Sequence, residues 1–328
     1  MAEALTKPIE ASESAPAIPA IRTLDLAKRY GSTVALTNLT MTVGKGEAFG
    51  FLGPNGAGKT TAVKLLVGLS APTGGEAWVL DAPVGNLDVR KRIGYLPELF
   101  RYQDWLTGRE VLELHCRLAR LPKGERRDHV DHALELSGLR DRRNDRVGTY
   151  SKGMQQRLGL GAALLGHPEV VFLDEPTSAL DPVGRHDVRE IIRDLKSRGV
   201  TVFLNSHLLS EVEQVCDRVA IVNRGKVIAI GTLEELRGAT KQVRISAGGL
   251  DETALQAVRR FGEFRFDENS LVVSGVEDDD VPDLVARLVA CGARIFSVQP
   301  AGSLEESFLS LIEEEEHGPA HDSGLDAP

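Results

Sequence analysis

Residues 53–60 read Gly53-Pro54-Asn55-Gly56-Ala57-Gly58-Lys59-Thr60, a G-x-x-x-x-G-K-[ST] run. It follows a short apolar strand, Glu47–Leu52, and opens a stretch from Thr60 to Leu69 with helical spacing. Strand, glycine turn and helix in that order make a phosphate cradle. The glycines accept positive φ and let backbone N–H groups curl around phosphate oxygens. The helix aims its positive end at the same anion. Lys59 is then placed for the β- and γ-phosphates and the Thr60 hydroxyl for Mg²⁺; Pro54, Asn55, Ala57 and Thr61 complete the nucleotide-binding stretch.

Downstream, Val170-Val171-Phe172-Leu173-Asp174-Glu175 is four apolar strand residues ending in two carboxylates. The carboxyl end of a buried parallel strand is where ligands bind in open α/β sheets. There Asp174 can hold Mg²⁺ through water, and Glu175 can orient and deprotonate an attacking water. An acidic pair after a strand is by itself an ordinary solvated turn. Its coupling to the phosphate loop makes the catalytic reading the stronger one.

Between and around these motifs the pattern alternates. Strand-like runs at Ile21–Leu26, Val34–Leu36 and Leu39–Val43 precede the loop, and Ala77–Leu80 follows it. From Thr107 to Leu165 the spacing is helical: Thr107 can cap a helix with Glu110 in the capping-box position, and helices are expected at Arg126–Leu136 and Met154–Leu165. Strands return at Val170–Leu173, Val200–Leu204 and Val219–Val222, separated by helices around Val188–Ser197 and Leu208–Cys216. That alternation implies a mostly parallel, covered sheet. After Gly238 the order becomes strand, helix, hairpin, helix, strand (243–246, 252–261, 263–274, 281–291, 294–298), the split βαβ or ferredoxin-like arrangement, closed by an amphipathic helix from Leu304 to about Ile312.

The chain has 328 residues, 42% hydrophobic and 27% charged, with a formal net charge of −9. No stretch approaches the ~18–20 apolar residues of a membrane span. The N-terminus shows neither the basic nor the apolar region of a signal peptide. Cys116, Cys216 and Cys291 lie far apart with no C-x-x-C, which suits a reducing compartment and gives no structural zinc motif. A cytosolic protein is expected. The acidity is unevenly spread. Residues 1–20, an Ala/Pro/Ser/Glu-rich lead-in expected to be disordered, contribute −2; residues 240–312 contribute −5, and residues 313–328, expected to be a solvated acidic tail, −6. The remaining 21–239 therefore carry +4.

Taken in order, these residues resemble the ATP-binding cassette of ABC transporters over residues 21–239. Tyr150-Ser151-Lys152-Gly153-Met154-Gln155-Gln156-Arg157 is similar to that family's signature, usually written L-S-G-G-Q. It departs at Tyr150, Lys152 and Met154 and keeps Ser151, Gly153 and Gln155. Ser178-Ala179-Leu180-Asp181 resembles the D-loop, His207 the switch histidine, and Arg29-Tyr30-Gly31 the aromatic loop whose Tyr30 stacks on adenine. At the Q-loop, Gly94-Tyr95-Leu96-Pro97-Glu98 presents Glu98 where glutamine is usual. Glutamate keeps an oxygen for Mg²⁺ or the attacking water but adds a negative charge that metal or a cation must offset. This form resembles exporter-type cassettes of the drug-resistance or natural-product group, some of which carry a similar C-terminal domain and a closing helix like Ser303–Leu309.

The resemblance implies an α/β P-loop NTPase cassette, with a parallel core, an antiparallel β subdomain and a helical subdomain at about 100–165. It also implies an accessory α+β domain at 240–312. ATP and Mg²⁺ are its cofactors. Two copies close head to tail, so that Ser151, Lys152, Gly153 and Gln155 of one meet the γ-phosphate on the loop of the other, while Asp181 and His207 sense hydrolysis. With no span in this chain, a separate multi-span permease is the implied partner, and the protein sits on the cytoplasmic face of the membrane. Nucleic acid is not expected, since Arg140-Asp141-Arg142-Arg143 lacks an aromatic stacking platform. The alternative is a soluble ABC-type ATPase acting on ribosomes or DNA, which usually joins two cassettes in one chain. His129-x-x-His132 shows no third ligand for a metal.

Overall fold

The computed structural model describes residues 19–178, 180–238, 242–267, 270–301 and 304–317. The chain opens with strands β1 (Pro19–Tyr30), β2 (Thr33–Gly44) and β3 (Ala48–Leu52), then helix α1 (Lys59–Leu66). Next come β4 (Gly74–Val79), β5 (Ala82–Pro83), α2 (Leu87–Arg90) and β6 (Ile93–Leu96). Three helices follow, α3 (Gly108–Leu118), α4 (Arg126–Leu136) and α5 (Lys152–Ala163). Strand–helix alternation resumes with β7 (Val170–Asp174), α6 (Pro182–Ser197), β8 (Thr201–Ser206), α7 (Leu209–Val215), β9 (Arg218–Asn223), β10 (Lys226–Thr232) and α8 (Leu233–Gly238). The last part holds β11 (Gln242–Gly248), α9 (Glu252–Val258), β12 (Glu263–Asp267) and β13 (Ser270–Ser274). It ends with α10 (Val281–Ala290), β14 (Arg294–Ala301) and α11 (Leu304–His317). Two compact units share these elements: one takes the chain up to Glu47 and Thr61–Phe203, the other Ala48–Thr60 and everything from Leu204 on.

In the first unit, β2-β1-β4-β5 form an antiparallel sheet. The two runs read at 34–36 and 39–43 are one strand. Asn38 takes a left-handed conformation between them, and register shifts against β1 absorb the irregularity. β6 and β7 pair in parallel from Ile93↔Val170 to Leu96↔Leu173. The helical stretch starts on the expected capping box: the Glu110 amide donates to Thr107 Oγ1 at 3.2 Å, and the Thr107 amide donates to Glu110 Oε2 at 2.8 Å. Val111, Leu112 and Cys116 of α3, Val130 and Leu134 of α4, and Leu158 of α5 close one buried core.

In the second unit, β3 and β9 are parallel and β9 and β10 form an antiparallel hairpin. All five residues of β3 are buried. Gly50 lacks a side chain because Val212, Cys216 and Val219 pack where one would stand. The second sheet of this unit runs β12-β13-β11-β14 with every neighbour antiparallel. With α9 and α10 it buries Val243, Ile245, Val258, Leu271, Val273 and Leu284. Numbering its four strands in order gives 4-1-3-2, the ferredoxin-like arrangement read from the sequence.

Several boundaries differ from the sequence reading. The lead-in ends two residues early, because Pro19 and Ala20 already belong to β1; residues 1–18 lie outside the described residues. The expected division at 239/240 also falls outside them, as do residues 318–328. Residues 313–317 are not tail: α11 continues to His317, packed against α7, α8 and β10. β6 and β10 are strands that the hydrophobic pattern did not single out.

Candidate functional site

The second unit carries the phosphate loop. β3 delivers the chain to Gly53, where a Cβ would collide with the carbonyl oxygen of Val222 on β9, so only glycine lets the loop leave the sheet at that height. Gly56 and Gly58 have φ of +82° and +97°, in the left-handed region that glycine occupies without strain. The loop folds on its own carbonyls. The Ala57 amide donates to Pro54 O at 3.2 Å, and Lys59 Nζ donates to Gly53 O at 2.7 Å and Pro54 O at 3.2 Å. Gly225, in the β9–β10 turn, donates its amide to Ala57 O at 3.0 Å. With these carbonyls engaged, the concave side of the loop presents the polarity that suits an anion, and Lys59, 8% exposed, brings its positive charge there. Asn55 and Gly56 are exposed, Thr60 and Thr61 half-buried in the first turn of α1. His207 is exposed directly after β8.

The first unit carries the acidic pair. β7 is buried throughout; Asp174 is 0% exposed and Glu175 is buried at φ +53°. A left-handed glutamate costs about 1–2 kcal/mol, so neighbours must hold it. They do: the Glu175 carbonyl accepts from the Ser178 amide at 3.3 Å, from Ser178 Oγ at 3.1 Å and, at 3.5 Å, from Nε2 of buried Gln156 on α5. The β6–β7 register sets Leu96 beside Leu173, so Pro97-Glu98 and Asp174-Glu175 leave the same end of adjacent strands. Tyr95 reports this crowding. Burial pushes its phenol up to about 12, and the charges of Asp174 and Glu98 add to the shift.

The signature segment begins α5. Ser151 is its N-cap, with Oγ accepting from the Met154 amide at 3.2 Å, and Lys152 and Gly153 form the first turn. Gln155 turns back, its Nε2 donating to Val147 O at 3.4 Å. Tyr150, at the departure from the usual leucine, is buried with its hydroxyl donating to Arg142 O at 2.7 Å; Gly108 makes room for that hydroxyl. A Cβ on Gly153 would lie 3.2 Å from Leu180, which ties the signature to the segment before α6. Asp181 caps α6, its Oδ1 accepting from the Gly184 amide at 2.8 Å. Ala179 lies outside the described residues. Tyr30 ends β1 with 48% of its surface exposed, and Lys28 Nζ stands 4.8 Å from its ring centre, tethered to Ala71 O at 2.6 Å.

Gln156 and Ser178 stand in the signature and D-loop runs without a role of their own there, and the sequence does not single out Lys28 or the Arg224-Gly225 turn. Only the turn had a visible signal, an Asn-Arg-Gly-Lys run between two apolar stretches. The structure also adds a third imidazole to His129 and His132: His167 lies 4.8 and 6.0 Å from them, ring centre to ring centre. Even so, among the described residues no group of three or more His, Cys, Asp or Glu converges on a metal site, and no helix is long and apolar enough to cross a membrane.

A family model described as "ABC transporter" matches residues 36–178. Over 306 residues the chain is 39% identical to an uncharacterized ABC transporter ATP-binding protein of Nostoc sp., covering 90% of each. It is 42% identical over 241 residues to a fluoroquinolones export ATP-binding protein of Mycobacterium tuberculosis, covering 70% of this chain and 79% of that one. Among solved structures it resembles an ATP-binding cassette in a dimeric, post-hydrolysis state bound to ADP and Pi, with a TM-score of 0.60 and 25% identity over 65% of this chain and 98% of that one.

Proposed function

The chain belongs to the family of ABC transporter ATP-binding proteins, and on that premise we propose that it binds and hydrolyses ATP to drive export through a separate transmembrane permease. The observation that carries this reading is the Gly53–Thr60 loop, whose three glycines are imposed by backbone geometry and whose lysine is folded over it. In this reading Tyr30 stacks on adenine. Lys59 and the amides of Asn55 through Thr61 hold the phosphates, with Thr61 following Thr60 into the helix.

Thr60, Asp174 and Glu98 are the side chains that would hold Mg²⁺, which would supply positive charge to offset that of the phosphates. Glu175 takes the proton from the attacking water, whose oxygen bonds to the γ-phosphorus as the bond to the β–γ bridging oxygen breaks. His207 and Asp181 respond to the γ-phosphate and its loss.

Ser151, Lys152, Gly153 and Gln155 complete the site from a second copy, head to tail, with the positive end of α5 facing the γ-phosphate. The export direction follows the relative of M. tuberculosis. The protein works at the cytoplasmic face of the membrane.

The test is Glu175→Gln. Loss of the general base should slow hydrolysis about 10²–10⁴-fold while ATP binding persists and dimers accumulate. Steady-state phosphate release and gel filtration with ATP measure both. Parent-like turnover by the variant sinks the mechanism, and co-sedimentation of the parent with ribosomes rather than membranes sinks the transport role.

A further inference from the structure

The β9–β10 turn is the outer wall of the phosphate loop. Val222 O stands against Gly53, and the Gly225 amide holds the Ala57 carbonyl. The turn itself is strained. Arg224 and Gly225 have φ of +46° and +80°, and an arginine in the left-handed region needs support from outside the turn. The residue that starts it, Asn223, is 4% exposed, and its Nδ2 donates at 2.7 Å to Oε2 of Glu315, ninety-two positions later on α11. Glu315 lies among the four consecutive glutamates that read as tail in the sequence. α11 is anchored at its other end by Leu304, fully buried, and Ser307, and it packs on α7, α8 and β10.

We propose that Glu315 is a positioning residue for nucleotide binding: its carboxylate fixes Asn223, which holds the Arg224-Gly225 turn against Ala57 and so keeps the phosphate loop in its anion-binding form. A charge-assisted hydrogen bond at a buried amide is among the stronger polar contacts available to a protein. At 4% exposure the Asn223 amide is largely shielded from water, so its bond to the carboxylate favours one rotamer. The C-terminal domain thereby acts on the nucleotide site through its closing helix. Anything that lifts α11 loosens the loop, which makes this contact a route by which a ligand or partner of the C-terminal domain can tune ATP affinity.

The inference rests on the nucleotide reading above, and its test separates the two. In the full-length chain, the rate of hydrogen exchange at the Gly225 amide is measured without nucleotide, and the Kd for ATP is measured in the non-hydrolysing Glu175→Gln background. Glu315→Ala should speed Gly225 exchange and raise Kd about fivefold, within the range of coupling through packed contacts. Glu315→Gln, which keeps an acceptor oxygen, should stay within about twofold of the parent. Asn223→Ala should repeat the Glu315→Ala effect, and the double variant should be no worse than either alone. An unchanged Gly225 amide in Glu315→Ala overturns the brace. Faster exchange with parent-like Kd overturns its role in binding. A merely structural helix would lower unfolding midpoints for Glu315→Ala and Glu315→Gln alike without moving Kd. Failure of the nucleotide reading shows separately, as a Lys59→Ala variant that binds ATP like the parent.

Discussion

Glu175 occupies a backbone conformation in which glycine would be more comfortable, and it does so with its carbonyl tied down by Ser178 and Gln156. Strain held in place by surrounding hydrogen bonds is a common mark of residues whose position matters to chemistry. The opposite logic holds at Gly53, where no left-handed backbone is involved and the constraint is the Val222 carbonyl. The two sites therefore respond to substitution in opposite senses. Glu175→Gly removes a left-handed side chain and a buried carboxylate, so it should stabilise the fold by about 1 kcal/mol while abolishing hydrolysis. Urea unfolding and a phosphate-release assay on the same preparation measure both. A destabilised Glu175→Gly would mean that the carboxylate contributes more to the fold than its backbone costs.

Among the elements, α4 and the turn between α5 and β7 meet through three imidazoles. Burial lowers the His129 pKa first, the neighbouring His167 next, and His132 adds to both, against the raising effect of Glu125, just before α4, and Asp128 in its first turn. Since the folded value lies below the unfolded one, the folded chain resists protonation that the unfolded chain accepts. This contribution is complete above the usual imidazole value near 6.5 and is lost as pH falls through the folded value. His115 on α3, also lowered by burial, acts in the same direction. Urea midpoints should therefore drop between about pH 7 and pH 5, and His129→Gln should flatten that slope. An equal slope in the variant would remove His129 from the account. The sequence could not show this cluster, because His167 is thirty-five positions from His132 and sits in a turn with no periodic signal. The same kind of limit hid β6. Its Gly94 interrupts an apolar strand for a tertiary reason: the Ala163 carbonyl takes the space of a side chain. Residues 313–317 were misread because four glutamates in a row look solvated, and only the buried Asn223 on β9 explains why Glu315 is held. By contrast, the phosphate loop, the β7 carboxylates and the Thr107 capping box were legible because each is local. Each shows as a short run whose spacing displays it, although Val222 and Gly225 also shape the loop and Gln156 helps to hold Glu175.

At the scale of the molecule, one chain carries one phosphate loop, one acidic pair and one signature helix, and the proposed head-to-tail dimer makes a definite claim about which copies cooperate. Each composite site takes its loop from one copy and its signature from the other, related by a two-fold axis. Lys59→Ala disables the loop and leaves the N-cap of α5 intact. Ser151→Arg fills the N-cap with a bulky cation and leaves the loop intact. Each variant alone should be inactive, because both of its composite sites contain one damaged half. When the two are mixed, a heterodimer pairs the damaged loop with the damaged signature in one site. Its other site combines the sound loop of the Ser151→Arg copy with the sound signature of the Lys59→Ala copy. Random pairing makes half of the dimers mixed, each with one working site, so activity should return to about a quarter of the parent's per chain if the sites act independently. The mixture is assayed by phosphate release against each variant alone. A cassette that completed its site within one chain would show no recovery, because every copy in the mixture would carry a lesion of its own.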